Sequence, residues 1–106
     1  MSQNKNMRIV TFKAIQEYIR KYPDSGTALK DWYRKTKESD WGCFSDIKQT
    51  FNSVDGIGNN RFVFNIKGNT YRLICIVIFS SKKVYIRFIG THNEYERLND
   101  CSIISK

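Results

Sequence analysis

Apolar residues recur at helical spacing in the first half of the chain. From residue 12 to residue 22 this spacing predicts an amphipathic helix whose apolar face consists of Phe12, Ile15, Tyr18, Ile19 and Tyr22. Thr11 is a suitable N-cap for this helix, and Pro23 ends it because a proline ring cannot continue a helix. A second helix is predicted to begin after Asp24 or Ser25, and its apolar face consists of Ala28, Leu29, Trp32, Tyr33 and Thr36.

In the second half of the chain the apolar period shortens to two residues, which is the period of a β-strand. Residues 61–66 alternate, residues 70–79 are apolar on both faces as in a central strand, and residues 84–89 alternate again. The turn between the first two of these strands needs a residue at positive φ, and Gly68 or Asn69 can supply it. Three consecutive strands joined by short turns are therefore predicted.

The remaining segments are shorter and less regular. Residues 7–10 predict a short strand, Ser45 can start a short helix, and residues 52–60, rich in glycine and asparagine, predict a mobile loop. In the last of the three long strands, Arg87 is expected on the face opposite Val84, Ile86 and Phe88.

Taken together, the elements follow the order β-α-α-β-β-β-α, with the short helix before the three strands. This order predicts an α+β fold in which helices pack on a small antiparallel sheet. With 106 residues, the chain can bury one core, so we expect a single domain over residues 1–106. Residues 1–6 and 100–106 are predicted to be flexible ends.

A short helix is predicted directly after the last strand. Thr91 and Glu94 have the T-x-x-E spacing of a capping box, in which each side chain binds the backbone N–H of the other residue. His92 then occupies the first helical position, and Tyr95 lies three residues later on the same face. Free N–H groups at a helix start favour an anion nearby.

Charge and composition narrow the class of partner. Eighteen Lys and Arg against ten Asp and Glu give a net charge of +8, which attracts nucleic acid or an acidic protein, although a basic surface can also serve solubility alone. Trp32, Tyr33 and Trp41 are candidates for stacking on RNA, but helical spacing favours a core position for the first two. The longest apolar run, residues 73–79, is far shorter than the roughly 20 residues that span a bilayer, and no export signal is visible. Three cysteines and one histidine suit neither a disulfide framework nor a zinc site. We therefore expect a cytoplasmic protein without membrane contact, metal or other cofactor.

Two stretches of the second half carry a more specific pattern. G-N-x-Y-R-L at residues 68–73 is followed by I-R-F-x-G-T-H-x-E-Y at residues 86–95. With YPDSGTALKDWYRKTKESDW at residues 22–41, they resemble the HigB family of type II toxin–antitoxin toxins, which lies within the RelE-like superfamily. The resemblance covers most of the chain, from about residue 10 to residue 98.

This resemblance implies an enzyme that cuts messenger RNA, usually on the translating ribosome, and that is silenced by a cognate HigA-type antitoxin. Matched by motif, the candidate catalytic residues are Arg72, Arg87, His92 and Tyr95. RNA contacts are expected from Asn65, Lys67 and Arg61. Many RelE-like relatives carry an arginine or lysine near the position of His92, so the assignment of acid and base remains open.

The chemistry of these residue types fits metal-free RNA cleavage. Such cleavage needs activation of the 2′-OH, cations beside the phosphorane and an acid for the departing 5′-oxygen. Arg72 and Arg87 suit bidentate phosphate binding, His92 suits proton donation, and Tyr95 can orient the nucleophile or stack on a base.

Each candidate also has a simpler explanation. His92 can be a solvated helix residue, Arg72 a member of a salt bridge, and Tyr95 the core anchor of the last helix through Leu98. Arg87, on a half-exposed strand, can be solvated. If these explanations hold, the alternative is a non-catalytic basic module that binds RNA or an acidic partner.

Overall fold

Between residues 6 and 97 the strands form one five-stranded sheet, in which the first strand of the chain lies at one edge beside the fifth, followed by the fourth, the third and the second. The computed structural model describes residues 6–97. The predicted flexible ends, except for residue 6, lie outside the described residues. The strands are β1 (Arg8–Ile9), β2 (Asp55–Gly58), β3 (Arg61–Ile66), β4 (Tyr71–Ile78) and β5 (Lys83–Thr91). The helices are α1 (Phe12–Lys21), α2 (Gly26–Lys37), α3 (Phe44–Thr50) and α4 (His92–Glu96), with a 3₁₀ turn at Pro23–Ser25.

The predicted α+β class is confirmed, but the expectation of an antiparallel sheet is wrong at one edge. Strands β2 to β5 pair antiparallel, as consecutive strands with short turns do. Strand β1 pairs parallel with β5, with Arg8 opposite Lys83 and Ile9 opposite Val84. Because α1 and the rest of the chain separate β1 from β5, local patterning gives no information about this pairing.

Helices α1 and α2 begin where the sequence indicates. The side chains of their predicted N-cap residues, however, do not cap the helices and bond to other backbone groups. Thr11 is the N-cap residue of α1, yet its hydroxyl accepts the backbone N–H of Ile86 at 2.7 Å. Ser25 precedes α2, and its hydroxyl donates to the carbonyl of Tyr22 at 2.7 Å. The first of these contacts fixes the start of α1 against β5.

An aromatic cluster fills the centre of the core between the helices and the sheet. Trp32 contacts Phe51 and Phe64, and the ring of Trp41 lies 6.2 Å from that of Phe64. Trp41 is only 1% exposed and its indole N–H donates to Thr50 Oγ1 at 3.1 Å. The idea that Trp41 stacks on RNA is therefore wrong.

Residues 52–60, predicted as a mobile loop, contain the edge strand β2. Asp55 pairs with Val63 and Gly56 with Phe62, and the connection to β3 turns through Asn59 and Asn60. Both asparagines have positive φ, at 54° and 64°, which is the backbone of a type I′ hairpin turn. Asparagine tolerates this conformation better than most residues do, so its abundance here marks a hairpin.

A β-bulge interrupts the pairing of β4 with β5. Ile86 is opposite Cys75 and Phe88 is opposite Ile74, so Arg87 has no partner of its own on β4. The extra residue reverses the alternation, which places Phe88 on the face of Ile74, away from Ile86. The prediction that Phe88 shares a face with Ile86 and Val84 is therefore wrong.

The helices of the protein are short. Within residues 6–97, no helix is long and apolar enough to cross a bilayer.

Candidate active site

Three residues form a row across the sheet at the end nearest to α4. Arg72 on β4 has Asn65 of β3 as one Cα partner and Gly90 of β5 as the other. Residues paired in this way project from the same face. The predicted RNA-binding residue Asn65 is therefore brought next to Arg72.

The capping box predicted at the start of α4 is present. The Thr91 hydroxyl accepts the N–H of Glu94 at 3.1 Å, and the Glu94 carboxylate accepts the N–H of Thr91 at 2.8 Å. The backbone N–H of His92 donates to the carbonyl of Thr70 at 3.0 Å. These bonds hold the first turn of α4 against the turn that precedes β4.

Arg72 and Tyr95 meet beside this helix start. The guanidinium carbon of Arg72 lies 5.7 Å from the centroid of the Tyr95 ring, which is the distance of a cation–π contact. The guanidinium also donates from Nη1 to the carbonyl of Asn69 at 3.4 Å. Among residues 6–97, no carboxylate lies within ion-pair distance of Arg72. The salt-bridge explanation of Arg72 therefore fails for the described residues, and its positive charge remains available to an anion.

His92 lies on the same helix turn and is half-buried. Its Nε2 is 3.3 Å from Oε2 of Glu96, and this contact is an ion pair only when the imidazole is protonated. Its Nδ1 is buried and finds no hydrogen-bond partner in the described part of the chain. The side chain as a whole is 44% exposed. A substrate can therefore reach the imidazole.

A second polar group connects the sheet end to the helices. The Tyr71 hydroxyl donates to Asp24 at 2.7 Å, and Lys67 Nζ lies 3.1 Å from the same carboxylate. The hydrogen bond from Tyr71, followed by that from Lys67, lowers the pKa of Asp24, and the same bond to Asp24 raises the pKa of Tyr71. The predicted RNA contact Lys67 is thus partly neutralised by Asp24.

Two predicted site residues lie elsewhere. Arg87 stands at the bulge and is exposed, where it lines a groove of about 300 Å³ between α1 and β5 together with Tyr18 and Phe88. Arg61 begins β3, opposite Ile76, and is only 6% exposed. Arg61 and Asn65 lie at opposite ends of β3, and the burial of Arg61 argues against direct contact with RNA. The structure brings Arg72 into contact with Tyr95 and places Asn65 next to Arg72 on the sheet. His92 begins the helix that carries Tyr95.

Gly90 and Phe88 also lie in this region. Neither side chain has a group that could act on a substrate, so residue type alone does not indicate that they belong to the site. A Cβ atom at Gly90 would lie 2.5 Å from Cζ of Phe88 and 2.8 Å from Oε1 of Glu94. Only glycine leaves room for both the aromatic ring and the capping carboxylate. A glycine inside a predicted strand marks such close approaches, so the residue at position 90 was a usable indication.

Gly90→Ala is expected to destabilise the protein by about 1–3 kcal/mol, because either Phe88 or Glu94 must move to admit the methyl group. Urea denaturation followed by circular dichroism measures the change. Gly42→Ala is the matched control, since a Cβ there would meet its nearest atom, a carboxylate oxygen of Asp46, at 3.6 Å. Equal stability of both variants would show that the contact at Gly90 is not a steric limit.

The arrangement around α4 can bind and act on a phosphodiester. A guanidinium free of carboxylates suits a phosphate, an aromatic ring suits a base, and an imidazole beside an acid suits proton transfer. Within residues 6–97, no group of three or more His, Cys, Asp or Glu side chains is placed to hold a metal ion.

Comparison with known proteins shows the family to which the chain is similar. Residues 25–98 match the family model HigB toxin, described as the RelE-like toxic component of a toxin-antitoxin system. The mRNA interferase HigB of Escherichia coli O6:H1 is 31% identical over 94 residues, covering 87% of this chain and 91% of that protein. The mRNA interferase toxin HigB of Escherichia coli strain K12 is 33% identical over 99 residues, covering 85% and 88%. The mRNA interferase HigB of Shigella flexneri matches to the same extent. On this evidence the chain belongs to the HigB family of RelE-like toxins.

Proposed function

We propose that this protein is an endoribonuclease toxin that cuts messenger RNA on the ribosome and thereby inhibits translation. The observation that carries the proposal is the contact of Arg72 with Tyr95 of α4, the short helix that begins at His92. The relatives named mRNA interferase support it, since they align with most of this chain. Because translated messenger RNA is the proposed substrate, we place the protein in the cytoplasm.

The proposed reaction is a transesterification within the RNA strand. The 2′-OH loses its proton to solvent as its oxygen attacks the adjacent phosphorus, the bond to the 5′-oxygen breaks, and the products are a 2′,3′-cyclic phosphate and a 5′-OH. Arg72 stabilises the charge that builds on the phosphorane, and His92 gives its proton to the departing 5′-oxygen. Tyr95 stacks on a base or orients the 2′-OH, and Asn65 adds a polar contact next to Arg72. No step requires a metal ion.

The cognate antitoxin is the second partner. Membership of the family implies an antitoxin, because the family is one component of a toxin-antitoxin system. We propose that it is of the HigA type and that it prevents the action of the toxin on messenger RNA.

Primer extension on messenger RNA from cells that express the chain tests the proposed activity. We expect new 5′ ends within translated regions and arrested growth, and we expect co-expression of the antitoxin to restore growth. The double variant Arg72→Ala with His92→Ala is the inactive control. If the parental chain at high expression leaves growth and messenger RNA unchanged, the nuclease proposal is wrong and the non-catalytic basic module, which the net charge of +8 favours, takes its place.

A further inference from the structure

A large basic cleft lies at the opposite end of the sheet from α4. It has a volume of about 850 Å³ and is formed by β1, the C-terminal part of α2 and the turn between β4 and β5. Five cationic side chains line it, namely Arg8, Arg34, Lys37, Lys82 and Lys83. One carboxylate, that of Glu38, lines it as well. Lys83 begins β5 and Thr91 ends it, so at about 3.3 Å per residue the cleft lies roughly 25 Å from the start of α4.

The cations of the basic cleft fall into two groups. Arg34 is paired with Asp31 at 2.8 Å, and Lys82 is paired with Asp40 at 2.6 Å. The positive charges of Arg34 and Lys82 are therefore neutralised by carboxylates of the protein itself.

The second group is not neutralised. Within residues 6–97, no carboxylate lies within ion-pair distance of Arg8, Lys37 or Lys83. Lys37 instead lies over the ring of Tyr33, which also lines the cleft, at 5.7 Å from the centroid. Three positive charges are therefore presented to a ligand.

The placement of Arg8 and Lys83 is the most informative feature. They are Cα partners in the parallel pairing of β1 with β5, so two like charges stand side by side on adjacent strands. Like charges placed directly opposite each other destabilise a sheet. An anion in the cleft relieves this repulsion, whereas an empty cleft does not.

We propose that the basic cleft binds the phosphodiester backbone of an RNA strand at a second site, separate from the site that holds the scissile phosphate. The size of the cleft and its several separate cations suit a chain of phosphates better than a single phosphate. The inference rests on the proposed function only in taking RNA as the polyanion; an acidic protein segment is the competing occupant.

The test compares two double variants that change the net charge equally. Arg8→Ala with Lys83→Ala removes the paired cations of the cleft, and Lys13→Ala with Lys30→Ala removes two exposed lysines that line neither the cleft nor the groove beside Arg87. The probe is a fluorescent RNA oligonucleotide with 2′-O-methyl groups, which cannot be cleaved because the 2′-oxygen is blocked. Affinity is measured by anisotropy over a range of salt concentrations.

We expect the cleft variant to bind the probe at least tenfold more weakly than the parental protein at low salt. The slope of log affinity against log salt should fall by about 0.7 for each phosphate of the single strand that the variant no longer neutralises. The lysine control should keep nearly the parental slope. A circular dichroism melt should show a cleft variant at least as stable as the parental protein, because the like-charge repulsion is gone. If the double variant does not fold, Lys37→Ala, on the exposed face of α2, is compared with Lys30→Ala, which removes one charge outside the cleft.

Two results would overturn the proposal. One is a cleft variant with the affinity and salt slope of the lysine control. The other is displacement of the probe from the parental protein by poly-glutamate as effectively as by unlabelled RNA, which would favour the acidic segment. Because the probe is uncleavable, binding at the cleft is measured independently of activity, and a protein that binds normally but cuts no messenger RNA contradicts the proposed function alone.

Discussion

Replacing Arg72 with alanine is expected to lower single-turnover cleavage on programmed ribosomes by about 10²–10³-fold, the usual effect of removing one group that stabilises transition-state charge. Among the described residues, no carboxylate forms an ion pair with Arg72, so its positive charge is available to a phosphate. Its guanidinium packs on the ring of Tyr95. Its removal should also weaken binding of an uncleavable RNA and reduce the salt slope by about 0.7. Cleavage and binding should therefore fall together.

Two further variants separate the geometry of Arg72 from its charge. Arg72→Lys keeps the charge but loses the planar fork that binds two phosphate oxygens, so it should bind RNA and yet cut slowly. Lys30→Ala removes one exposed charge from α2, away from the site, and should leave both cleavage and binding unchanged. If the Arg72→Ala protein cuts at the parental rate, Arg72 does not have the proposed phosphate-binding role.

The part of the site that depends on local sequence was predictable. The capping box is set by two residues three positions apart, and its backbone bonds form within one helix turn. The position of His92 at the first residue of α4 follows from that box alone. The strands that carry Asn65 and Arg72 are adjacent in the chain and joined by a short turn, so their pairing could also be predicted from the sequence.

The rest of the site depends on register, which the pattern of apolar residues does not determine. A single extra residue at Arg87 reverses the faces of the second half of β5, and alternation in the sequence continues through the bulge without a visible break. Arg87 consequently lines the exposed groove beside α1 and does not join Arg72 and Tyr95. A bulge forms where two registers of the same strand pair compete, and their relative stability depends on the packing of the whole folded sheet.

Long-range pairing is the other limit. The parallel contact of β1 with β5 joins residues about 75 positions apart, and it creates the juxtaposition of Arg8 and Lys83 in the basic cleft. No periodicity within either strand indicates its partner. The burial of Arg61 has a similar origin, because an arginine at the start of an alternating strand is expected to reach solvent, whereas here the surrounding structure covers it.

Replacing His92 with alanine is expected to slow cleavage by roughly 10²–10⁴-fold, which is the usual contribution of a general acid. Binding of uncleavable RNA should stay nearly parental, because Arg72 and the cations of the basic cleft are untouched. Stability should fall by less than about 1 kcal/mol, since the side chain is half-exposed and the Thr91–Glu94 bonds do not involve it. Normal binding with slow cleavage distinguishes a proton donor from a residue that only holds the substrate.

The control for His92 is its exposed neighbour Asn93, whose replacement by alanine changes the same helix turn without removing a titratable group. His92→Gln adds a stricter comparison, because glutamine can donate a hydrogen bond but cannot give up a proton to the 5′-oxygen. If glutamine restores the parental rate, hydrogen bonding suffices and His92 is not the acid. If His92→Ala itself cuts at the parental rate, the proton must come from another group, and Tyr95, held beside Arg72 at 5.7 Å, is the next to replace with phenylalanine. Either result would leave the phosphate-binding role of Arg72 standing while moving the acid to a different atom.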